Sequence, residues 1–183
     1  MIPLSKYLAD IVTWSRALMA LCLIWLGVTK GVDALPTAVL LTIANWTADS
    51  IDGPLARRNP SPHQSWIGKK DLQIDMLFSS SLLVYMTGSG IVTWQITLIY
   101  VIFWAILFWL IGLPHVLGVL FQAPIQVGFL VFAVWQIPQV VLWVVGWLLI
   151  AVAVTWPKFP KVIVPEFIDS VKQLLGERLQ RDK

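Results

Sequence analysis

The sequence predicts an all-α membrane protein with six transmembrane helices, and three observations carry that prediction. Of the 183 residues, 58% are apolar and only 13% charged, with a mean hydropathy of +0.79; a soluble domain is about 25% charged and at most about half apolar. No Asp, Glu, Lys or Arg occurs from Met76 through Trp156. The chain also holds eleven Trp, a residue that collects at membrane–water interfaces. The length allows a single domain covering 1–183. A net charge of +3 is too small and too scattered to suggest nucleic acid. The lone cysteine, Cys22, excludes an intrachain disulfide framework and any Cys-based zinc site.

Taken in order, Ile11–Val28 supplies the first span. Pro36–Ala48 begins the second, which must run on through the polar segment Asp49–Arg58 to be long enough to cross. The uncharged stretch then has room for about four spans of roughly 20 residues each. Thr87-Gly88-Ser89-Gly90, Gly112-Leu113-Pro114 and Gln136-Ile137-Pro138 divide it, giving helices near 71–87, 92–111, 115–135 and 138–156. No strand pattern of alternating polarity appears, and a lipid-exposed open sheet could not span a membrane. In the tail, 165–183, Phe167, Ile168, Val171, Leu174, Leu175 and Leu179 recur at helical spacing between charges. That pattern describes an amphipathic helix, lying either at the cytoplasmic interface or on the end of the sixth helix.

Charge sets the orientation. Lys6 precedes the first helix; Arg57, Arg58, Lys69 and Lys70 flank the loop between the second and third; Lys158 and Lys161 follow the sixth. The opposite loops carry only Lys30, balanced by Asp33. Positive charge stays cytoplasmic, so both termini and the 2–3 loop are expected there. In a rival reading, Lys6 and Arg16 followed by apolar Ala17–Val28 and Val32-Asp33-Ala34 loosely imitate a signal peptide. Cleavage there would leave five helices and move the N-terminus to the other side.

Four aspartates stand out among the ten acids. Asp49 and Asp52 are i,i+3 at the end of the second helix, and Asp71 and Asp75 are i,i+4 at the start of the third, so each pair shares a helical face. Antiparallel neighbours joined by a short loop let the two pairs converge. A carboxylate at the centre of a lipid-exposed helix costs roughly 2.5–3.5 kcal/mol. Four would cost roughly 10–14 kcal/mol, comparable with a whole protein's stability, so they must face a wet cavity near the cytoplasmic surface. Four carboxylates in one place repel unless protons or cations neutralise them. Oxygen ligands favour Mg²⁺ or Mn²⁺, and two such ions can clamp a pyrophosphate. The plainer alternative, helix-end acids in solvent, suits Asp71 and Asp75 at a helix N-terminus but not Asp49 and Asp52 at a C-terminal end. Gly53 and Ala56 lie on or next to the acidic face, where a flat nucleotide could approach the backbone, and Arg57 can hold a phosphate bidentately.

The run Asp49-x2-Asp52-Gly53-x2-Ala56-Arg57, followed by Asp71-x3-Asp75, resembles the signature of the CDP-alcohol phosphatidyltransferases, D-x2-D-G-x2-A-R and then G-x3-D-x3-D. Thr13-Trp-Ser-Arg16 is similar to the family's T-x2-R in the first helix. A charge as deep as Arg16 is usually functional or paired, the alternative being an arginine that snorkels from the helix end. The resemblance covers residues 49–75 in motif and most of the chain in its six-helix layout. It implies transfer of a phosphatidyl group from CDP-diacylglycerol to an alcohol acceptor, with release of CMP, and two Mg²⁺ or Mn²⁺ ions held by Asp49, Asp52, Asp71 and Asp75. It further implies that Asp75 is the general base on the acceptor hydroxyl, that Gly53, Ala56 and Arg57 line the CDP site, and that the protein is a homodimer among membrane lipids.

Three departures stand beside the match. The family glycine should stand four residues before the third aspartate; that position is Ile67, and Gly68 is displaced by one. Pro54 removes one backbone donor from the second helix and should kink it. Members that use phosphorylated acceptors place Lys and Arg in the later helices, and this chain has neither from Asp71 through Trp156, which argues for a neutral or lipid acceptor or for a divergent member. His115 reads as an interface residue and Ser79-Ser80-Ser81 as small residues for helix packing. Three competing readings remain: an intramembrane prenyltransferase acting on an isoprenyl pyrophosphate, a cation-coupled carrier, and a catalytically dead homologue. The carrier would want polar groups along a pathway through the later helices, where the glutamines are scattered, Gln95, Gln122, Gln126 and Gln139 among them.

Overall fold

Among the described residues six α-helices follow one another: α1 Leu4–Thr29, α2 Leu35–Arg57, α3 Asp71–Gly88, α4 Trp94–Ile111, α5 His115–Gln136 and α6 Val140–Thr155. The computed structural model describes residues 4–57 and 71–155, with side chains over 11–51 and 72–154, and no strand occurs among them. The expected tail helix 165–183 and the positions Arg58, Ile67, Gly68, Lys69, Lys70, Lys158 and Lys161 lie outside the described residues. Among the described residues three helices are long and apolar enough to cross a membrane: Ile11–Thr29 within α1, α4 and α5. A shorter apolar stretch, Val140–Val154, lies in α6. Helices α1 to α5 belong to one compact unit ending at Val140, and a second unit begins at Val141.

The helix ends fall at the glycine and proline signals. Gly31 closes α1 at φ +58° after Lys30 N–H bonds back to the Leu26 carbonyl at 2.9 Å, a left-handed stop that glycine adopts without a Cβ clash. Gly112 does the same for α4, at φ +87°, with its N–H on the Phe108 carbonyl at 2.9 Å. A short 3₁₀ turn, Gly31–Ala34, then leads into α2. There Pro36 sits in the first turn, where its missing N–H has no intrahelical partner to lose. As the sequence requires, α2 runs on through Pro54 to Arg57.

In the first unit, α1 packs against α2 and α3, and α3 packs against α5. Helices α1 and α3 meet backbone to backbone: a Cβ on Gly27 would lie 2.7 Å from the Tyr85 Cα, and one on Gly88 would lie 3.1 Å from the Gly27 carbonyl carbon. Small residues permit such close approach where lipid supplies no hydrophobic drive between helices. Helices α3 and α5 are joined by the edge-on pair Tyr85–Phe129, with centroids 6.1 Å apart. Phe121 of α5 sits among Tyr100, Trp104 and Phe108 of α4. Much of the remaining α4 surface, including Ile99, Phe103, Ile106, Trp109 and Leu110, is exposed and apolar.

Candidate active site

Arg16 is the centre of the site. It lies midway along α1, fully buried, and each guanidinium nitrogen is committed. Nε donates to Asn45 Oδ1 at 3.3 Å, Nη1 pairs with Asp49 Oδ1 at 2.9 Å, and Nη2 donates to Asp75 Oδ1. Asn45 and Asp49 are one turn apart on α2, so both reach the same arginine. The snorkelling alternative therefore does not hold: the head group turns inward and ties α1, α2 and α3 together. A buried guanidinium without such partners would be strongly disfavoured. Thr13, one turn earlier on α1, is buried beside it.

Balance of charge matters here. Among the described residues, one guanidinium faces two carboxylates. Asp49 is 46% exposed and Asp75 26% exposed, so both open toward solvent while Arg16 does not. The α2 helix continues through Asp52, Gly53, Ala56 and Arg57, and α3 begins at Asp71; the side chains of these five residues are outside the described ones. By backbone register, Asp52 stands three residues beyond Asp49 and Asp71 four residues before Asp75, each on the face of its partner. Among the described residues, no group of three or more His, Cys, Asp or Glu side chains converges on one point. The donor chemistry of the four aspartates, all hard oxygen, fits Mg²⁺ or Mn²⁺.

Asp75 also borders a cleft of about 170 Å³ between α3 and α5. Its polar walls are Asp75, His115, Gln122 and Gln126; its apolar walls are Leu72, Val119 and Ala123. While Arg16 holds Oδ1 of Asp75, Oδ2 has no partner among the described residues. A carboxylate anchored through one oxygen and open through the other is oriented to accept a proton from a group in the cleft.

A chain of hydrogen bonds stands behind this cleft. Trp46 Nε1 donates to Gln126 Oε1 at 3.2 Å, Gln126 Nε2 donates to Ser79 Oγ at 3.1 Å, and Ser79 Oγ donates to Gln122 Oε1 at 3.3 Å. The indole can only donate, so it fixes the amide of Gln126. That amide in turn leaves Ser79 to donate, and Gln122 is left with its Nε2 donors unpartnered among the described residues. One turn further along, the α3–α5 contact becomes Leu82, Tyr85, Phe129 and Ala133, all buried; the polar layer stops there.

Reading the sequence alone misses Asn45, Trp46 and the joint role of Ser79, His115, Gln122 and Gln126. A signal exists for some of them. Asn45 is i−4 from Asp49, Ser79 is i+4 from Asp75, and Gln122 and Gln126 are i,i+4 in an otherwise uncharged apolar helix, where polar side chains tend to serve a purpose. Ser79 does bridge helices, as small-residue packing implies, but through its hydroxyl. Compared with models of known protein families, with curated proteins and with solved structures, the chain matches none.

Proposed function

We propose that this protein is a transferase of the CDP-alcohol phosphatidyltransferase type, moving a phosphatidyl group from CDP-diacylglycerol to an alcohol and releasing CMP. The observation that carries the reading is the meeting of Asp49 and Asp75, the first and last aspartates of the two motifs, on Arg16, the residue that stands where the family's first-helix arginine would. Residues 59 positions apart are thus gathered at one joint.

In this reading six helices span the membrane, and both termini and the segment between α2 and α3 face the cytoplasm. Helices α2 and α3, at 23 and 18 residues, have roughly the length a span requires. Asp49, Asp52, Asp71 and Asp75 hold two Mg²⁺ or Mn²⁺ ions, which when bound neutralise the pyrophosphate of the CDP-lipid. Gly53, Ala56 and Arg57 line the cytidine diphosphate. Arg16 is a positioning residue: it holds Oδ1 of Asp75 and so directs Oδ2 at the acceptor hydroxyl. The acceptor oxygen attacks the lipid-bearing phosphorus; a new P–O bond forms, the P–O bond to CMP breaks, and the hydroxyl proton passes to Asp75.

The polar layer that ends at Leu82 and Phe129 supports an enzyme pocket over a carrier pathway, which would need polar groups to continue. The test is CMP release by the purified protein from CDP-diacylglycerol with Mg²⁺ or Mn²⁺, across a panel of alcohol acceptors. Acceptor-dependent release that disappears in Asp75→Asn is expected. Folded protein that releases no CMP with any acceptor and does not bind the CDP-lipid overturns the reading, and returns the aspartates to an isoprenyl pyrophosphate or a transported cation.

A further inference from the structure

We propose that Gln122, oriented by the Trp46–Gln126–Ser79 chain of hydrogen bonds, makes the α3–α5 cleft a subsite for a small uncharged polyol and sets the acceptor specificity of the site. The assignment of this polyol as acceptor rests on the transferase reading; the existence of a polyol subsite does not.

Three properties of the cleft select that ligand class. The first is size. At about 170 Å³ the cleft is close to the cavity volume that holds a ring of six carbon atoms, so it has room for a molecule of about six non-hydrogen atoms. The second is the pattern of donors and acceptors. Asp75 Oδ2 can only accept while ionised, and Gln122 Nε2 can only donate. A hydroxyl that donates to Asp75, next to a second hydroxyl whose oxygen accepts from Gln122, satisfies both. The Leu72, Val119 and Ala123 side takes the C–H face of such a molecule.

The third property is charge. Among the described residues no Lys or Arg lines the cleft, and all three nitrogens of Arg16 are committed to Asn45, Asp49 and Asp75. The two ions of the proposed site are matched by the pyrophosphate of the CDP-lipid, so a phosphate ester in the cleft would set its charge against the Asp75 carboxylate with no Lys or Arg of the described lining to offset it. An amino acid can offer its ammonium to Asp75, but its own carboxylate then finds no Lys or Arg among the described lining residues. An uncharged polyol meets neither penalty.

The experiment reads binding separately from activity. In a Cys22→Ser background, Ala123→Cys places one thiol on the cleft wall, and its maleimide labelling rate is measured in detergent with glycerol, glycerol 3-phosphate or serine present. Glycerol is expected to slow labelling several-fold and glycerol 3-phosphate to leave it unchanged. Adding Gln122→Ala should raise the half-protecting glycerol concentration about tenfold, the equivalent of one lost hydrogen bond. Ser79→Ala, which frees Gln122 to turn, should raise it in the same direction; size-exclusion profiles check that both variants fold. Protection by glycerol 3-phosphate equal to or better than that by glycerol, protection by no polyol, or protection unaffected by both substitutions overturns the proposal. CMP release is assayed in parallel. Selective protection without CMP release upholds the subsite while the transferase reading fails. CMP release with glycerol 3-phosphate as the better acceptor overturns the subsite while the transferase reading stands.

Discussion

Arg16 of α1 and Asp75 of α3 form a direct ion pair across 59 residues of chain, with Arg16 fully buried and Asp75 opening onto a cleft on its other side. The asymmetry defines what each residue contributes. Arg16 is structural and orienting; Asp75 is the group that can meet a ligand. Removing Arg16 takes away the cation that Asp49 and Asp75 share. Breaking a fully buried pair costs about 3–5 kcal/mol, but both acids here are partly solvated, so Arg16→Met is expected to cost about 2–3 kcal/mol. Arg16→Lys should recover only part of that, because one ammonium cannot present the two-pronged fork that reaches both helices. Thermal unfolding of the detergent-solubilised variants checks both statements.

Asp75→Asn separates fold from chemistry. The amide oxygen can still accept from Arg16 Nη2, so the α1–α3 joint should persist and the unfolding temperature should change little. The amide has no basicity, and loss of a general base lowers rate by about 10²- to 10⁴-fold. CMP release should fall by that factor while CDP-lipid is still bound. An unfolding temperature that drops as far as in Arg16→Met would assign Asp75 a structural role instead.

Chelation is the third expectation. With four carboxylates and one guanidinium assigned to one joint, cations are needed to bring a pyrophosphate near. EDTA should abolish CMP release, and Mg²⁺ or Mn²⁺ should restore it. Asp49→Asn should raise the metal concentration needed for half-maximal rate. Activity that is indifferent to EDTA would remove the metal from the proposal.

Much of the helical order is legible in the sequence because the signals are local. Gly112-Leu113-Pro114 ends α4 and starts α5 within a residue or two of the expected boundaries, since a left-handed glycine and an N-terminal proline act on their own backbone. Helix α1 begins seven residues before the apolar span that identifies it, at Leu4, because hydropathy reports what faces lipid, not where backbone hydrogen bonding starts. Asp49 and Asp75 are legible as candidates from spacing. Their link through Arg16 is not, because it depends on which faces of three helices turn inward. The Trp46–Gln126–Ser79–Gln122 chain is less legible still: its members come from α2, α3 and α5, and each alone resembles ordinary packing.

Glycine substitutions distinguish close backbone approach from open space. Gly27→Ala puts a Cβ 2.7 Å from the Tyr85 Cα, a backbone atom that cannot move alone. It should destabilise the protein by about 1–3 kcal/mol, the usual cost of overpacking. Gly118→Ala meets the Leu72 Cδ1 at 2.6 Å; this side-chain end can swing aside, so a smaller loss is expected. Nothing lies within 4 Å of a Cβ on Gly128, and Gly128→Ala should be neutral or slightly stabilising through helix propensity. The order Gly27, Gly118, Gly128 in unfolding temperature loss is the quantity to measure.

Trp46→Phe tests the polarity of the hydrogen-bond chain. Phenylalanine keeps an aromatic side chain but cannot donate, so nothing then holds the Gln126 amide with its oxygen toward α2. If that amide turns over, Gln126 accepts from Ser79, Ser79 accepts from Gln122 Nε2, and Gln122 presents its oxygen to the cleft beside the Asp75 carboxylate. Two acceptors would then face a ligand that needs one acceptor and one donor. Stability should fall by about 1 kcal/mol, the worth of one hydrogen bond, whereas polyol protection of the cleft should fall by about tenfold. Trp46→His restores an N–H on a flat ring and should recover part of that protection. Equal losses in the phenylalanine and histidine variants would mean that ring volume, not the indole donor, sets the geometry of Gln122.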